Sequence, residues 1–157
     1  MLKKIKPYAV SIAIALAVGG LAALLTMDSM NIYETINKPS LSPPSILFPI
    51  VWTVLYILMG VSAAIVYVRG GGANDEAQSA LMVYASQLAV NFLWSIVFFN
   101  LQAFGLAFVV LVVLWLLIIL MIYKFYAVSP LAAYLQIPYL LWVTFAGYLN
   151  LMIVILN

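Results

Sequence analysis

The sequence predicts an all-α membrane protein, a bundle of five transmembrane helices with a long loop between the first and second. Three observations lead there. Only 6% of the 157 residues are charged and 68% are hydrophobic, with a mean hydropathy of +1.23, whereas a soluble domain carries roughly 25% charged residues. The apolar residues gather into runs long enough, at about 1.5 Å of rise per residue, to cross about 30 Å of hydrocarbon. The few basic residues fall almost entirely on one side of a five-span scheme. No polar stretch exceeds an ordinary loop, so residues 1–157 read as a single transmembrane domain.

The first span covers about residues 7–27. A lysine-rich start followed by an apolar core, with small residues near Ala22 and Ala23, also describes a cleavable signal peptide, but this core outruns the usual 7–15 or so residues. Ala15, Gly19 and Ala23 recur every fourth position, giving one face small enough for a neighbouring helix to approach closely. Residues 28–44 form the loop. Pro39, Pro43 and Pro44 fix φ and favour extended geometry before them, so the segment is stiff. A connection so long and stiff is expected to act as a lid over a pocket.

The second span covers about 45–68, with Pro49 close enough to its start to be tolerated. Gly60 and Ala64 repeat the small-residue spacing, and Trp52 and Tyr56 share a face at i and i+4. Arg69-Gly70-Gly71-Gly72 ends it in a flexible turn that carries on to Asp75 and Glu76. From Ala77 to Tyr123 there is no charge. About 47 residues are too many for one membrane-spanning helix, so a break is expected at Asn100-Leu101-Gln102, with spans of about 78–99 and 103–126. Ser129-Pro130 supplies the next break, and the last span covers about 131–156 with a kink at Pro138.

Orientation follows from charge. In this scheme Lys3, Lys4, Lys6, Arg69 and Lys124 share one side and Lys38 alone takes the other. The positive-inside rule then puts the N-terminus in the cytoplasm and the loop and C-terminus outside. The composition also excludes chemistry. Without Cys or His there is no disulfide, thiolate or imidazole base. The four carboxylates, Asp28, Glu34, Asp75 and Glu76, all lie outside the long apolar runs, so no metal site is expected. A net charge of +2, clustered only at the first lysines, is no nucleic-acid footprint.

Polar residues inside the spans carry the most information, because in hydrocarbon they turn toward the bundle interior. Gln87, Asn91 and Ser95 form one stripe on the third span, with Trp94 beside Asn91. Such a stripe alone reads first as interhelical glue and second as a cavity lining. Trp142, Ala146 and Asn150 make a similar stripe on the fifth, with Tyr139 three residues before Trp142. Trp115, flanked by leucines, reads as lipid-facing or core and receives no role.

These residues together resemble the translocator protein family, also called tryptophan-rich sensory protein or peripheral-type benzodiazepine receptor. The likeness runs through Tyr33, Lys38-Pro39-Ser40-Leu41-Ser42-Pro43-Pro44, Trp52, Tyr56, Gly60, Gln87, Asn91, Trp94-Ser95 and Phe98-Phe99. It continues through Pro138-Tyr139-Leu140-Leu141-Trp142, Phe145-Ala146 and Tyr148-Leu149-Asn150. The resemblance implies a five-helix bundle, typically a homodimer, with an internal pocket under the first loop for porphyrins and hydrophobic drug-like ligands. Tyr33, Pro43, Trp52, Tyr56, Asn91, Trp94, Tyr139, Trp142 and Ala146 are the ligand-binding residues it implies. Some bacterial relatives break down protoporphyrin in light and oxygen, which assigns chemistry to Trp52 and Trp142 and needs no cofactor beyond the porphyrin itself. A bacterial cell membrane is the expected location.

Two loop positions depart from the family pattern. Leu41 and Ile32 stand where tryptophan is usual, which weakens any stacking role for the lid. Neither Lys nor Arg follows Leu149-Asn150, so the vertebrate cholesterol motif is not matched. A facilitative carrier for porphyrin or another hydrophobic metabolite is the alternative function. An interaction protein whose stripes only pack is a third.

Overall fold

The computed structural model describes residues 2–71 and 74–157. Gly72, expected in the glycine turn, lies outside the described residues. Helix α1 runs Leu2–Thr26, starting well before the apolar run because a helix emerging into water keeps its hydrogen bonds whatever its side chains. A single turn, α2 (Ile32–Thr35), interrupts the loop. Turn bonds Leu47 N to Pro44 O at 3.0 Å and Phe48 N to Ser45 O at 3.3 Å lead into α3, Leu47–Arg69.

Helix α4 spans Asp75–Ser95, and the Asn74 side chain accepts from the backbone N–H groups of Glu76 and Ala77. Asp75 and Glu76 therefore belong to the first helical turn, not to the preceding turn. A side-chain cap and acidic residues both favour a helix N-terminus. The helix then widens into a π-helical turn, Ile96–Asn100, and the chain reverses through Gln102 at φ 52°. Helix α5 is Phe104–Val128.

Ser129 caps α6 (Pro130–Leu135), with Pro130 at its start, and α7 follows as Ile137–Leu156. The break between them falls at Gln136, two residues before Pro138. Proline lacks the N–H that would bond the Tyr134 carbonyl, and its ring crowds that carbonyl, so the distortion appears upstream of it. Among the described residues, five helical segments are long and apolar enough to cross a membrane: Leu2–Thr26, Leu47–Arg69, Asp75–Asn100, Phe104–Val128 and Pro130–Leu156.

Small residues decide how closely these helices meet. A Cβ added at Gly60 would lie 2.5 Å from the Ile12 Cα, and one at Gly19 would lie 2.4 Å from the Tyr56 ring. Ser11 Oγ donates to the Gly60 carbonyl at 2.7 Å, and Ala15 is fully buried. Helices α1 and α3 thus touch along the small-residue faces read from the sequence. Met59, Leu114, Ile118, Met121 and Phe125 fill the centre, while Leu24, Ile50, Met82, Leu116, Leu141 and Ile155 are exposed. An apolar exterior of this kind suits contact with lipid chains.

The loop end is tied together by amides. Asn100 Nδ2 donates to the Leu25 carbonyl at 2.9 Å. The Asn37 N–H donates to Asn157 Oδ1 at 3.2 Å, and Asn157 Nδ2 donates to the Asn37 carbonyl at 2.9 Å. The loop, the turn after α4 and the end of α7 therefore share one end of the bundle.

Candidate ligand-binding cavity

A cavity of about 270 Å³ lies in the loop half of the bundle, between α1, α3, α4 with its π turn, and α7. Each helix contributes by its spacing. Phe48, Trp52 and Tyr56 line it from α3 at four-residue intervals, Trp142, Ala146 and Asn150 from α7 in the same way, and Asn91, Trp94 and Ser95 from α4. Phe98 and Phe99 add the π turn, and Gly19, Ala22 and Ala23 of α1 leave room opposite. Met30, Tyr33 and Ser45 border the cavity from the loop.

The walls are aromatic and in mutual contact. Tyr33 packs edge-on to Phe48 with ring centroids 5.0 Å apart, and Phe48 to Trp142 at 5.8 Å. Trp52 lies 5.7 Å from Tyr56, and Trp94 lies 5.1 Å from Phe98. These offset and edge-to-face pairs hold the rings at fixed angles. The walls therefore present flat apolar surface to the cavity.

The cavity floor is polar and satisfied. Tyr56 Oη donates to Asn91 Oδ1 at 3.4 Å, Asn91 Nδ2 donates to Tyr139 Oη at 2.8 Å, and Tyr139 Oη donates to Gln87 Oε1 at 2.6 Å. Gln87, Asn91 and Tyr139 are buried to within 1%. The third-span stripe thus divides its work. Gln87 joins helices, Asn91 joins helices while bordering the cavity, and Ser95 faces the cavity.

Seven expected ligand residues, Tyr33, Trp52, Tyr56, Asn91, Trp94, Trp142 and Ala146, come together here. Two stand elsewhere. Tyr139 lies behind the wall, 6.2 Å from the Trp52 ring, and supports the floor. Pro43 accepts the Tyr33 hydroxyl on its carbonyl at 2.7 Å, which positions Tyr33 without lining the cavity. Leu41 is 69% exposed, and neither it nor Ile32 borders the cavity. Phe48, Met30, Leu149 and Ile153 line it too and escaped the sequence reading. Phe48 had a signal, since it extends the Trp52–Tyr56 spacing by one turn.

The four tryptophans separate by their indole N–H groups. Trp94 donates to Asn150 Oδ1 at 3.0 Å, and Asn150 Nδ2 in turn donates to the Phe104 carbonyl at 2.9 Å. Trp115, outside the cavity, donates to Thr144 Oγ1 at 2.9 Å. Trp52 and Trp142 border the cavity with no indole hydrogen-bond partner among the described residues.

Charge is kept to the rim. Among the described residues, no charged side chain lines the cavity and no cluster of potential metal ligands occurs. At the loop, the Lys38 ammonium donates to the Tyr33 carbonyl and sits 4.5 Å from the centre of the Tyr33 ring. Burial pushes the Tyr33 phenol above its ordinary pKa, and the Glu34 carboxylate acts in the same direction.

The chain is similar to known proteins over most of its length. The TspO/MBR family pattern matches residues 11–156. The tryptophan-rich protein TspO of Chlorobaculum tepidum is 41% identical over 158 aligned residues, covering 100% of this chain and 99% of that protein. The tryptophan-rich sensory protein of Cereibacter sphaeroides is 39% identical, covering 82% of this chain and 77% of its own length. The human translocator protein is 36% identical, with coverage of 78% and 73%.

Proposed function

The chain belongs to the TspO/MBR family of membrane proteins, and from that premise we infer that it is a receptor binding porphyrins and other flat hydrophobic ligands beneath its first loop. The observation that carries this reading is the cavity itself, walled by aromatic rings from α3, α4, α7 and the loop, with no charge inside. Aromatic walls with a few fixed polar groups suit a planar conjugated ligand. Porphyrin is the ligand or substrate in this reading, and no resident cofactor is required.

Size adds a condition. At about 270 Å³ the cavity sits just below the range of roughly 300–1,000 Å³ typical of ligand pockets, and a tetrapyrrole needs more. Binding therefore requires the loop to lift, which makes residues 28–44 a lid whose inner surface is Tyr33. In the orientation read from charge, that lid faces outward.

Trp52 and Trp142 are the residues assigned to light- and oxygen-dependent porphyrin breakdown, since both offer an indole to the cavity with its N–H uncommitted. The floor formed by Tyr56, Asn91, Tyr139 and Gln87 bears on the carrier alternative. It closes the cavity on the side away from the loop, which supports a one-sided receptor over a route through the bilayer.

Titration of purified protein with protoporphyrin, followed by tryptophan emission, tests the reading. Saturable quenching is expected, reduced by Trp142→Phe and by a bulky residue at Ala146. Absence of saturable quenching in the wild type overturns it.

A further inference from the structure

The cavity takes no charge, yet one cation waits at its rim. Burying an unpaired carboxylate among apolar side chains is strongly unfavourable, so an acidic ligand must leave its acid outside while its body enters. Among the described residues, the only opposite charge near that position is Lys38. Lys3, Lys4 and Lys6 lie in the first turns of α1, Arg69 ends α3, and Lys124 donates to Ser79 near the start of α4. All five belong to the end away from the loop.

Lys38 is half-buried and has no carboxylate partner among the described residues. Its ammonium is held by the Tyr33 carbonyl and the Tyr33 ring face, and that ring lines the cavity. The charge is thus one ring away from the ligand space. Both present partners are neutral, and a carboxylate is a stronger acceptor for an ammonium than either. The rim is therefore poised for exchange.

The geometry points to Lys38 as the recognition site for an acidic group on the ligand, which defines the ligand class as a flat apolar body carrying a carboxylate at one edge. This rests on the cavity being the ligand site. On binding, the carboxylate takes the ammonium from Tyr33, a contact made within the lid itself. Glu34, exposed on α2, is the nearby competitor for the same charge.

The test compares protoporphyrin IX with its uncharged dimethyl ester, in nanodiscs of zwitterionic lipid, for wild type, Lys38→Met, Lys38→Arg and Glu34→Gln. Wild type is expected to bind the acid about ten-fold more tightly than the ester, as one charge-assisted contact implies. Lys38→Met should bring that ratio close to one, Lys38→Arg should keep it, and Glu34→Gln should keep or raise it. Added salt should shrink the wild-type ratio, a measurement that does not depend on any variant folding. A wild-type ratio of one, or a ratio that survives Lys38→Met, overturns the assignment while leaving the cavity reading intact. If neither compound binds, the cavity reading fails and takes this assignment with it.

Discussion

Replacing Gly60 by alanine tests the closest helix contact in the bundle. The added Cβ would lie 2.5 Å from the Ile12 Cα and 2.9 Å from its backbone nitrogen. Ordinary contact begins at 3.4 Å, so α1 and α3 must separate by about 1 Å, since backbone atoms cannot rotate away as a side chain can. Overpacking of this kind costs about 1–3 kcal/mol. The same movement stretches the 2.7 Å bond from Ser11 Oγ to the Gly60 carbonyl beyond useful length, a loss of about 0.6 kcal/mol in a membrane protein. Alanine returns up to about 1 kcal/mol through its helix propensity. The expected net loss is about 1–3 kcal/mol, read as a lower midpoint of thermal unfolding in detergent. Gly20→Ala is the internal control, because nothing lies within 4 Å of its added Cβ; it should be neutral or stabilising. Equal stability of the two variants would refute the close approach of α1 and α3.

Illumination of the porphyrin complex should convert the pigment more slowly in Trp52→Phe and Trp142→Phe than in wild type, seen in the porphyrin absorption spectrum, while Trp115→Phe converts at the wild-type rate. Unaltered conversion in both of the first two variants removes their chemical assignment. Tyr33→Phe deletes the hydrogen bond to the Pro43 carbonyl and should weaken porphyrin binding about 2–10-fold, measured by titration. Because the Tyr33 phenol is raised above 10.0, it is the neutral donor at lower pH, and its contribution should persist from about pH 6 to 9 and vanish only as pH rises through the raised value. An earlier loss would contradict that protonation state. Tyr139→Phe leaves buried Asn91 and Gln87 short of a partner and should destabilise by about 1–3 kcal/mol, with Gln87→Leu in the same background recovering part of the loss in the same melting assay.

The spans were legible because hydrocarbon imposes length and polarity on every helix that crosses it. Their ends were not. The helical turns bearing Lys3, Lys4 and Lys6, and those bearing Asp75 and Glu76, lie outside the apolar runs, where hydrogen bonding and capping decide. Periodicity also placed Asn91 and Trp142 toward the interior, while Trp52 came from the family resemblance, and the cavity contains all three. It could not place Tyr139 behind the wall, since spacing gives direction around a helix axis but not depth from it. Gly19 shows the same gap, for its small size served both the Tyr56 contact and the cavity. The π turn at Ile96–Asn100 left no local mark, because it contains neither proline nor glycine.

The closed floor has a kinetic consequence. In the proposed reading, a ligand held above the floor of Tyr56, Asn91, Tyr139 and Gln87 departs through the half of the bundle by which it arrived, and both passages cross one barrier at the loop. Loosening the Asn37–Asn157 clasp lowers that barrier from either direction. Association and dissociation then quicken by the same factor, so residence time becomes adjustable at the rim independently of affinity, which is set by the rings inside.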